Sequence, residues 1–282
     1  MTTQLCNICP RALPAQKTGG VQIYPRICEY AVGPMSRNTT FYLIRHGDRF
    51  DYANRELWRG RCSELGIEPT DPPLSSIGHA QARSVAAALS EAGVESILAS
   101  PYLRVIQTAQ PLAHATGLPI GVEDGLSELG HAPGSIIPAA RRFAYFPEVD
   151  LTYASLHTIA APERDAAYPL LYFRRILSVA SRLQRVYAGR TVACFSHAAS
   201  IALVAALTGS GIGEVGKFAP CGIFKLVNDD ARKCWVVAQH GGENSGHCTQ
   251  TSSTTYPWGF SNSFPPELVE ARWLEAKRLG PL

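Results

Sequence analysis

Thr40-Phe41-Tyr42-Leu43-Ile44-Arg45-His46-Gly47-Asp48-Arg49 decides the reading of this chain. Residues 41–44 are apolar and rich in strand formers. The run stops abruptly at Arg45-His46-Gly47, so a buried strand is predicted to end in a guanidinium and an imidazole. Thr191 to Phe195 repeats the pattern and ends in Ser196-His197. Between them, Ser96 to Ser100 and Pro119 to Val122 read as two further strands.

Helices fall between these strands. Leu74 to Glu91 has Ser75 as its cap, puts Ile77, Ala80, Val85, Ala88 and Leu89 on one face, and is stopped by Gly93. Pro101 suits a first helical turn, and Leu103, Ile106, Ala109, Gln110 and Ala113 carry that helix to Gly117. Further helices are predicted near Tyr168 to Tyr187, Ser200 to Leu207 and Glu267 to Arg278. Strands near Cys221 to Val227 and Cys234 to Gln239 are joined by Asn228-Asp229-Asp230, short enough for a hairpin. Strands alternating with helices predict a three-layer α/β/α fold: a mostly parallel sheet with an antiparallel edge strand. The stretch up to Pro73 is polar and Pro-bearing, the excursion over 125–165 reads as irregular and as a cover for something, and the segment 241–264 reads as loop.

The chain has 282 residues, enough for one domain with a full core; 46% are hydrophobic and 17% charged, a globular composition. Its longest apolar run, Ser200 to Leu207, is too short to cross a bilayer. A net charge of +3 without a Lys/Arg block argues against nucleic acid as the main partner. Residues 1–38 carry no Asp or Glu before Glu29 and no sustained periodicity, and read as a flexible N-terminal extension ahead of a domain over 39–282. That extension lacks both a secretory core and a clear amphipathic targeting helix. Cys6 and Cys9 resemble half of a zinc site, but Cys28 has no close partner. With Cys194 and Cys221 in apolar runs, the eight cysteines read as reduced thiols in a cytoplasmic compartment.

In such sheets ligands bind beyond the carboxyl ends of the strands. The first strand delivers Arg45, His46 and Arg49, and the second delivers Arg104. The third leads into Glu128, and the fourth delivers Ser196 and His197. Guanidinium forks match phosphate oxygens. A histidine among them is pushed toward its neutral form, which frees a ring nitrogen as a nucleophile. A carboxylic acid such as Glu128 can protonate a leaving oxygen and then deprotonate water, with Asp124 and Glu123 as close rivals. The cationic side chains already stabilise charge, so neither a metal nor another cofactor is expected.

Arg45-His46-Gly47-Asp48-Arg49 resembles the RHGxR signature of the histidine phosphatase, or phosphoglycerate mutase-like, superfamily. Ser100-Pro101-Tyr102-Leu103-Arg104-Val105-Ile106-Gln107-Thr108-Ala109 resembles its SPxxRxxQTA segment, and Leu74 to Ala82 its LTxxGxxQA helix start. Ser196-His197-Ala198 resembles its strand-end histidine. The resemblance spans about residues 40–265, with the motifs in family order. Arg49-Phe50-Asp51, Val149-Asp150-Leu151-Thr152-Tyr153 and His197-Ala198-Ala199-Ser200 look like the branch of suppressors of T-cell receptor signalling and insect ecdysteroid-phosphate phosphatases. The resemblance implies a phosphoglycerate mutase-like fold and a phosphomonoesterase acting through phosphohistidine. His46 would be the nucleophile, with Arg45, Arg49, Arg104 and His197 as the phosphate pocket and Glu128 as the acid. The excursion, about 129–165, would act as a lid. The expected partner is a phosphorylated protein or small molecule, with a homodimer left open.

The rival readings are a phosphoglycerate mutase, whose usual Ser and Asn do not follow the signature here, and a catalytically idle interaction module. The latter would have lost a nucleophile or arginine that this chain keeps. Gly211-Ile212-Gly213-Glu214-Val215-Gly216-Lys217 mimics nucleotide-binding glycine motifs, yet a helix precedes it and Phe218 stands where a P-loop needs Ser or Thr. It is read as a glycine-rich loop. His247-Cys248 lacks the arginine of a cysteine phosphatase. Arg141-Arg142 could reach a second acidic group on a substrate, but solvated surface charge is the preferred reading.

Overall fold

The computed structural model describes residues 17–18, 21–23, 38–130, 139–159, 163, 169–229, 234–242 and 265–282. Its strands are β1 (Lys17–Thr18), β2 (Val21–Ile23), β3 (Thr40–Arg45), β4 (Ser96–Ala99), β5 (Ile120–Val122), β6 (Thr191–Ser196), β7 (Ile223–Asp229) and β8 (Cys234–Gln239). The helices are α1 (Phe50–Ala53), α2 (Arg55–Leu65), α3 (Ser76–Leu89), α4 (Leu103–Thr116), α5 (Ala139–Tyr145), α6 (Leu170–Val186), α7 (Ile201–Thr208), α8 (Ile212–Val215) and α9 (Pro266–Leu279).

One sheet holds the strands in the order β1-β2-β8-β7-β3-β6-β4-β5. The run β3-β6-β4-β5 is parallel. β7 runs antiparallel to β3 and pairs with β8 as a hairpin, giving that side of the sheet its antiparallel character. β2 continues beyond β8, and β1 beyond β2, both antiparallel.

The side-chain period of two along each strand sorts the core into two layers. Phe41 and Leu43 of β3, Leu98 of β4 and Val192 and Cys194 of β6 pack with α6, α7 and α9 on one face. Tyr42 and Ile44, Ile97 and Ala99, and Ala193 and Phe195 pack with α3 and α4 on the other. These strands are apolar on both faces, as a covered parallel sheet requires. Trp273 of α9 is fully buried in the first layer and donates its indole N–H to the Ser210 carbonyl at 3.1 Å. Burial of a side chain this large contributes roughly 2–3 kcal/mol.

Several expectations need correction. The polar stretch before Pro73, in which the sequence suggests no element, contains α1 and α2. In α2 only Trp58 and Cys62 are buried, one turn apart among charged residues, so its apolar face is too thin to show in the sequence. The excursion carries the helical turns of α5, and the glycine-rich segment contains α8, with Gly211 N–H bonded to Glu214. Ser75 caps α3, accepting from Gly78 N–H at 3.0 Å. The buried face of α3, however, is Gly78, Gln81, Ala82, Val85, Ala86 and Leu89, while Ile77, Ala80 and Ala88 face outward. The segment 243–264, His247-Cys248, the Cys6/Cys9/Cys28 reading and most of the extension lie outside the described residues. Among the described residues, no helix is long and apolar enough to cross a membrane.

Candidate active site

β3 and β6 pair in parallel with Arg45 opposite Ser196, so His46 and His197 leave neighbouring strands at the same level. The loop carrying His46 is then fixed on three sides. Gly47 N–H donates to Thr108 Oγ1 (3.1 Å) and Asp48 N–H to Gln81 Oε1 (2.9 Å). Asp48 also accepts Ser75 N–H on its carbonyl and Ser75 Oγ–H on its carboxylate. These bonds give roles to Ser75, Gln81 and Thr108, present in the motifs but without an assigned function. The loop can approach α3 closely only because two glycines meet there. A Cβ on Gly78 would lie 2.2 Å from the Asp48 carbonyl oxygen, and one on Gly47 2.8 Å from that of Gly78. The buried face of α3 thus joins this contact at its start to Val85, Ala86 and Leu89 in the apolar core. On the other side, Cys221 adopts φ 54° and turns its N–H onto the carbonyls of Arg45 (3.0 Å) and His46 (3.3 Å). A left-handed conformation costs a non-glycine residue about 1–2 kcal/mol, and it is held beside the site.

Within this frame His46 is almost fully buried. Its Nδ1 lies 2.7 Å from the Gly47 carbonyl. A carbonyl only accepts, so Nδ1 carries the proton. Burial, then Arg104 and Arg45, hold its pKa well below the usual imidazole range, so the ring is neutral and Nε2 carries a lone pair. His197 is fully buried, with its ring centroid 5.4 Å from that of His46. It too is kept neutral, by burial and then by Arg104 and His46. Its Nε2 meets Ser100 Oγ at 2.8 Å, while Nδ1 faces Arg104 Nη2 at 3.3 Å. A guanidinium only donates, so Nδ1 accepts from Arg104 and the ring proton sits on Nε2, donated to the Ser100 hydroxyl.

Arg104 is buried and stacks over Tyr102, with the guanidinium carbon 4.5 Å from the ring centroid. Asp71, which sequence reasoning missed, steers it. This buried carboxylate accepts Leu103 N–H at 2.8 Å and lies 3.8 Å from Arg104 Nη1. Arg45 donates to the Phe218 carbonyl at 2.6 Å. Arg45 and Arg104 each keep a buried Nε–H with no acceptor among the described residues. Arg49 is tied bidentately to Asp51 (2.9 and 2.7 Å) and stacks on Tyr52.

Of the three acidic candidates, Glu128 is the one that reaches the imidazoles, with Oε2 3.4 Å from His197 Nδ1 and 3.9 Å from Arg104 Nη2. Glu123 is fully buried and accepts from Gly125 N–H, Tyr153, Ser155, Leu156 N–H and His157 N–H, which makes it a structural clamp. Asp124 faces Arg142 and Arg175, and burial raises its pKa. Reading Arg141-Arg142 as solvated charge holds for Arg141 and fails for Arg142. Arg141 is exposed but spends its donors on the carbonyls of Leu65 and Gly66 at the end of α2, and Arg142 is buried within electrostatic reach of Asp124 and Asp71.

The ligating atoms of His46, Glu128 and His197 lie within 4.8 Å of one another. Two imidazoles and a carboxylate are donors a divalent cation accepts. Here, though, Arg104 stands against two of the three, and Arg45 and Arg49 add positive charge. The field of this pocket favours an anion.

Two uncharged imidazoles set among guanidinium groups, at the carboxyl ends of parallel strands, define an anion-handling α/β protein with a nucleophilic nitrogen to spare. The family follows directly. The family model of the histidine phosphatase superfamily (branch 1) matches residues 41–239, and the chain belongs to that superfamily. Ubiquitin-associated and SH3 domain-containing protein A of Mus musculus is 33% identical over a stretch covering 30% of this chain and 18% of that protein. A probable phosphoglycerate mutase, GpmB, of Yersinia enterocolitica is 33% identical over 31% of this chain and 37% of its own. The chain thus spans well under half the length of these curated relatives. The crystal structure of the ecdysone phosphate phosphatase EPPase from Bombix mori in complex with tungstate superposes with TM-score 0.54 at 23% identity. That match covers 67% of this chain and 88% of that one, and shows the shared fold.

Proposed function

We propose that this chain hydrolyses phosphomonoesters through a phosphohistidine on His46. The observation that carries the reading is the state of His46: neutral, with its proton held at Nδ1 by Gly47 and Nε2 free among arginines. Nε2 attacks phosphorus, an N–P bond forms, and the P–O bond to the alcohol breaks. Glu128, beside His197 Nδ1, gives its proton to the departing oxygen. Water then attacks phosphorus, Glu128 takes back a proton, the N–P bond breaks and inorganic phosphate leaves. Arg45, Arg49 and Arg104 hold the phosphoryl oxygens, and the unpaired Nε–H groups of Arg45 and Arg104 are donors an anion can satisfy. No metal enters this scheme. Once the phosphoryl group draws the Arg104 Nη2 donor away from His197 Nδ1, the Ser100 hydroxyl donates to Nε2 and the ring proton moves to Nδ1, from which His197 donates to the phosphoryl group.

The substrate class is a phosphorylated protein side chain or a small-molecule phosphate, with residues 129–165 as the lid that selects it. Cys62 and Cys194, buried as thiols, suit a reducing, cytoplasmic compartment. The partial match to a probable phosphoglycerate mutase makes isomerisation the reaction to test against. Phosphate release from nitrophenyl phosphate and phosphoglycerate interconversion are to be measured on one preparation, with His46→Ala alongside. Release should dominate, vanish in His46→Ala, and pass through a label that is lost in acid and kept in alkali. Isomerisation far outrunning release, or near-normal turnover by His46→Ala, would overturn the proposal.

A further inference from the structure

We infer that Arg175 is a positioning residue for Glu128, and that Glu163 of the excursion holds Arg175 in that role; the inference rests on Glu128 being the acid. Arg175 lies on α6, far in sequence from every motif, and is fully buried. Its donors go to one short backbone segment and to one carboxylate. Nη1 donates to the carbonyls of Gly125 (2.7 Å) and Ser127 (3.1 Å), and Nη2 to the carbonyl of Glu128 itself (3.3 Å). The remaining donors grip Glu163 bidentately, Nε to Oε1 at 2.7 Å and Nη2 to Oε2 at 2.8 Å. Tyr172 packs beneath the guanidinium, 4.8 Å from its carbon.

The chain from Gly125 to Glu128 leaves a short helical turn over Asp124–Leu126 and joins no strand ladder; Ser196 Oγ at the end of β6 holds its Leu126 carbonyl at 2.7 Å, and the other three carbonyls are left for Arg175. One planar fork therefore gathers three carbonyls of this segment and fixes the path by which Glu128 reaches the pocket. At the far end, Glu128 Oε1 accepts Leu129 N–H at 3.0 Å, leaving Oε2 aimed at His197. A buried ion pair is a poor source of net stability, because desolvation offsets most of the attraction. What Arg175 and Glu163 supply is the placement of backbone. Lysine, with one rotatable ammonium, cannot reproduce a fork that spans three carbonyls and a carboxylate. Glu163 belongs to the excursion, so the acid and the cover over the site are fastened to the same side chain.

The test compares Arg175→Lys and Glu163→Gln, each alone and combined with Glu128→Gln, on an alkyl phosphate and on nitrophenyl phosphate. A poor leaving group needs its proton and a good one does not, so misplacing the acid must act selectively. Arg175→Lys should lower kcat for the alkyl phosphate by roughly ten-fold or more, within the 10²–10⁴ that a general acid supplies. Glu163→Gln should lower it several-fold. KM, and kcat for nitrophenyl phosphate, should stay within about two-fold. In the Glu128→Gln background neither substitution should add selectivity. If Glu128→Gln is selective and Glu163→Gln slows both substrates equally, or if its selectivity persists without Glu128, the role of Arg175 is refuted while the acid stands. If Glu128→Gln is itself unselective, both readings fall. Glu163→Gln keeps the shape of the side chain and removes only the charge of the pair, so it tests the role of Arg175 even if Arg175→Lys does not fold.

Discussion

Replacing Gly78 by Ala sets two effects of opposite sign against each other. Removing a glycine from a helix interior stabilises by about 1 kcal/mol. Against this, the new Cβ would lie 2.2 Å from the Asp48 carbonyl oxygen and 3.0 Å from its nitrogen, both backbone atoms that cannot rotate away. Ordinary contact needs about 3.3 Å, so α3 and the His46 loop must separate by roughly 1 Å; overpacking of this kind costs about 1–3 kcal/mol. The loop also loses its fit to Gln81 and Ser75, and a 1 Å displacement of a reacting group can cost about 10²-fold in rate. Gly60 is the internal control, since it lies in α2 with nothing within 4 Å of its added Cβ. Urea unfolding should show Gly60→Ala gaining about 0.5–1 kcal/mol with unchanged kcat, and Gly78→Ala gaining nothing and losing up to about 2 kcal/mol with kcat down roughly 100-fold. If Gly78→Ala gains stability as Gly60→Ala does and keeps its rate, the reasoning about the glycine contact is wrong.

Two other outcomes follow from the same site. His46 and His197 have folded pKa values depressed below the unfolded value, so their contribution to stability is complete above about pH 6.5 and is lost as pH falls below it. Each adds a slope of about 1.4 kcal/mol per pH unit there, and His46→Asn should remove one share; stability that is flat from pH 5.5 to 7.5 would contradict neutral buried rings. Phosphatase activity should survive exhaustive chelation, because guanidinium groups surround the His46–Glu128–His197 cluster; loss that zinc or magnesium restores would assign those residues to a metal instead.

The parts of the fold and site readable in the sequence were those with local signals. Apolar runs that end in Arg45-His46 and Ser196-His197 mark strand ends whatever they pack against. Ser75 marks a helix start because capping is a matter of neighbouring backbone. The face of α3 was misread because Gly78, the residue at its closest contact, has no side chain to contribute to a periodic pattern. Asp71 and Arg175 were invisible for another reason. Their partners are the Leu103 amide, the Arg104 guanidinium, the Glu163 carboxylate and the carbonyls of Gly125, Ser127 and Glu128, at separations no spacing rule encodes. Choosing among Glu123, Asp124 and Glu128 likewise needed the path of the loop, since all three lie within one short stretch.

The strand order has a kinetic consequence. β6 sits between β3 and β4, although it follows β4 in the chain by about ninety residues. During synthesis β3 and β4 emerge with a vacancy between them, and each exposes an unpaired apolar edge until Thr191–Ser196 arrives. Closing that long loop is an entropic barrier that slows folding. His197 follows the inserting strand, so the His46–His197 pair exists only once β6 is in place. The candidate site is therefore completed late in folding, and a ligand that binds only the completed site would act as a thermodynamic latch on it.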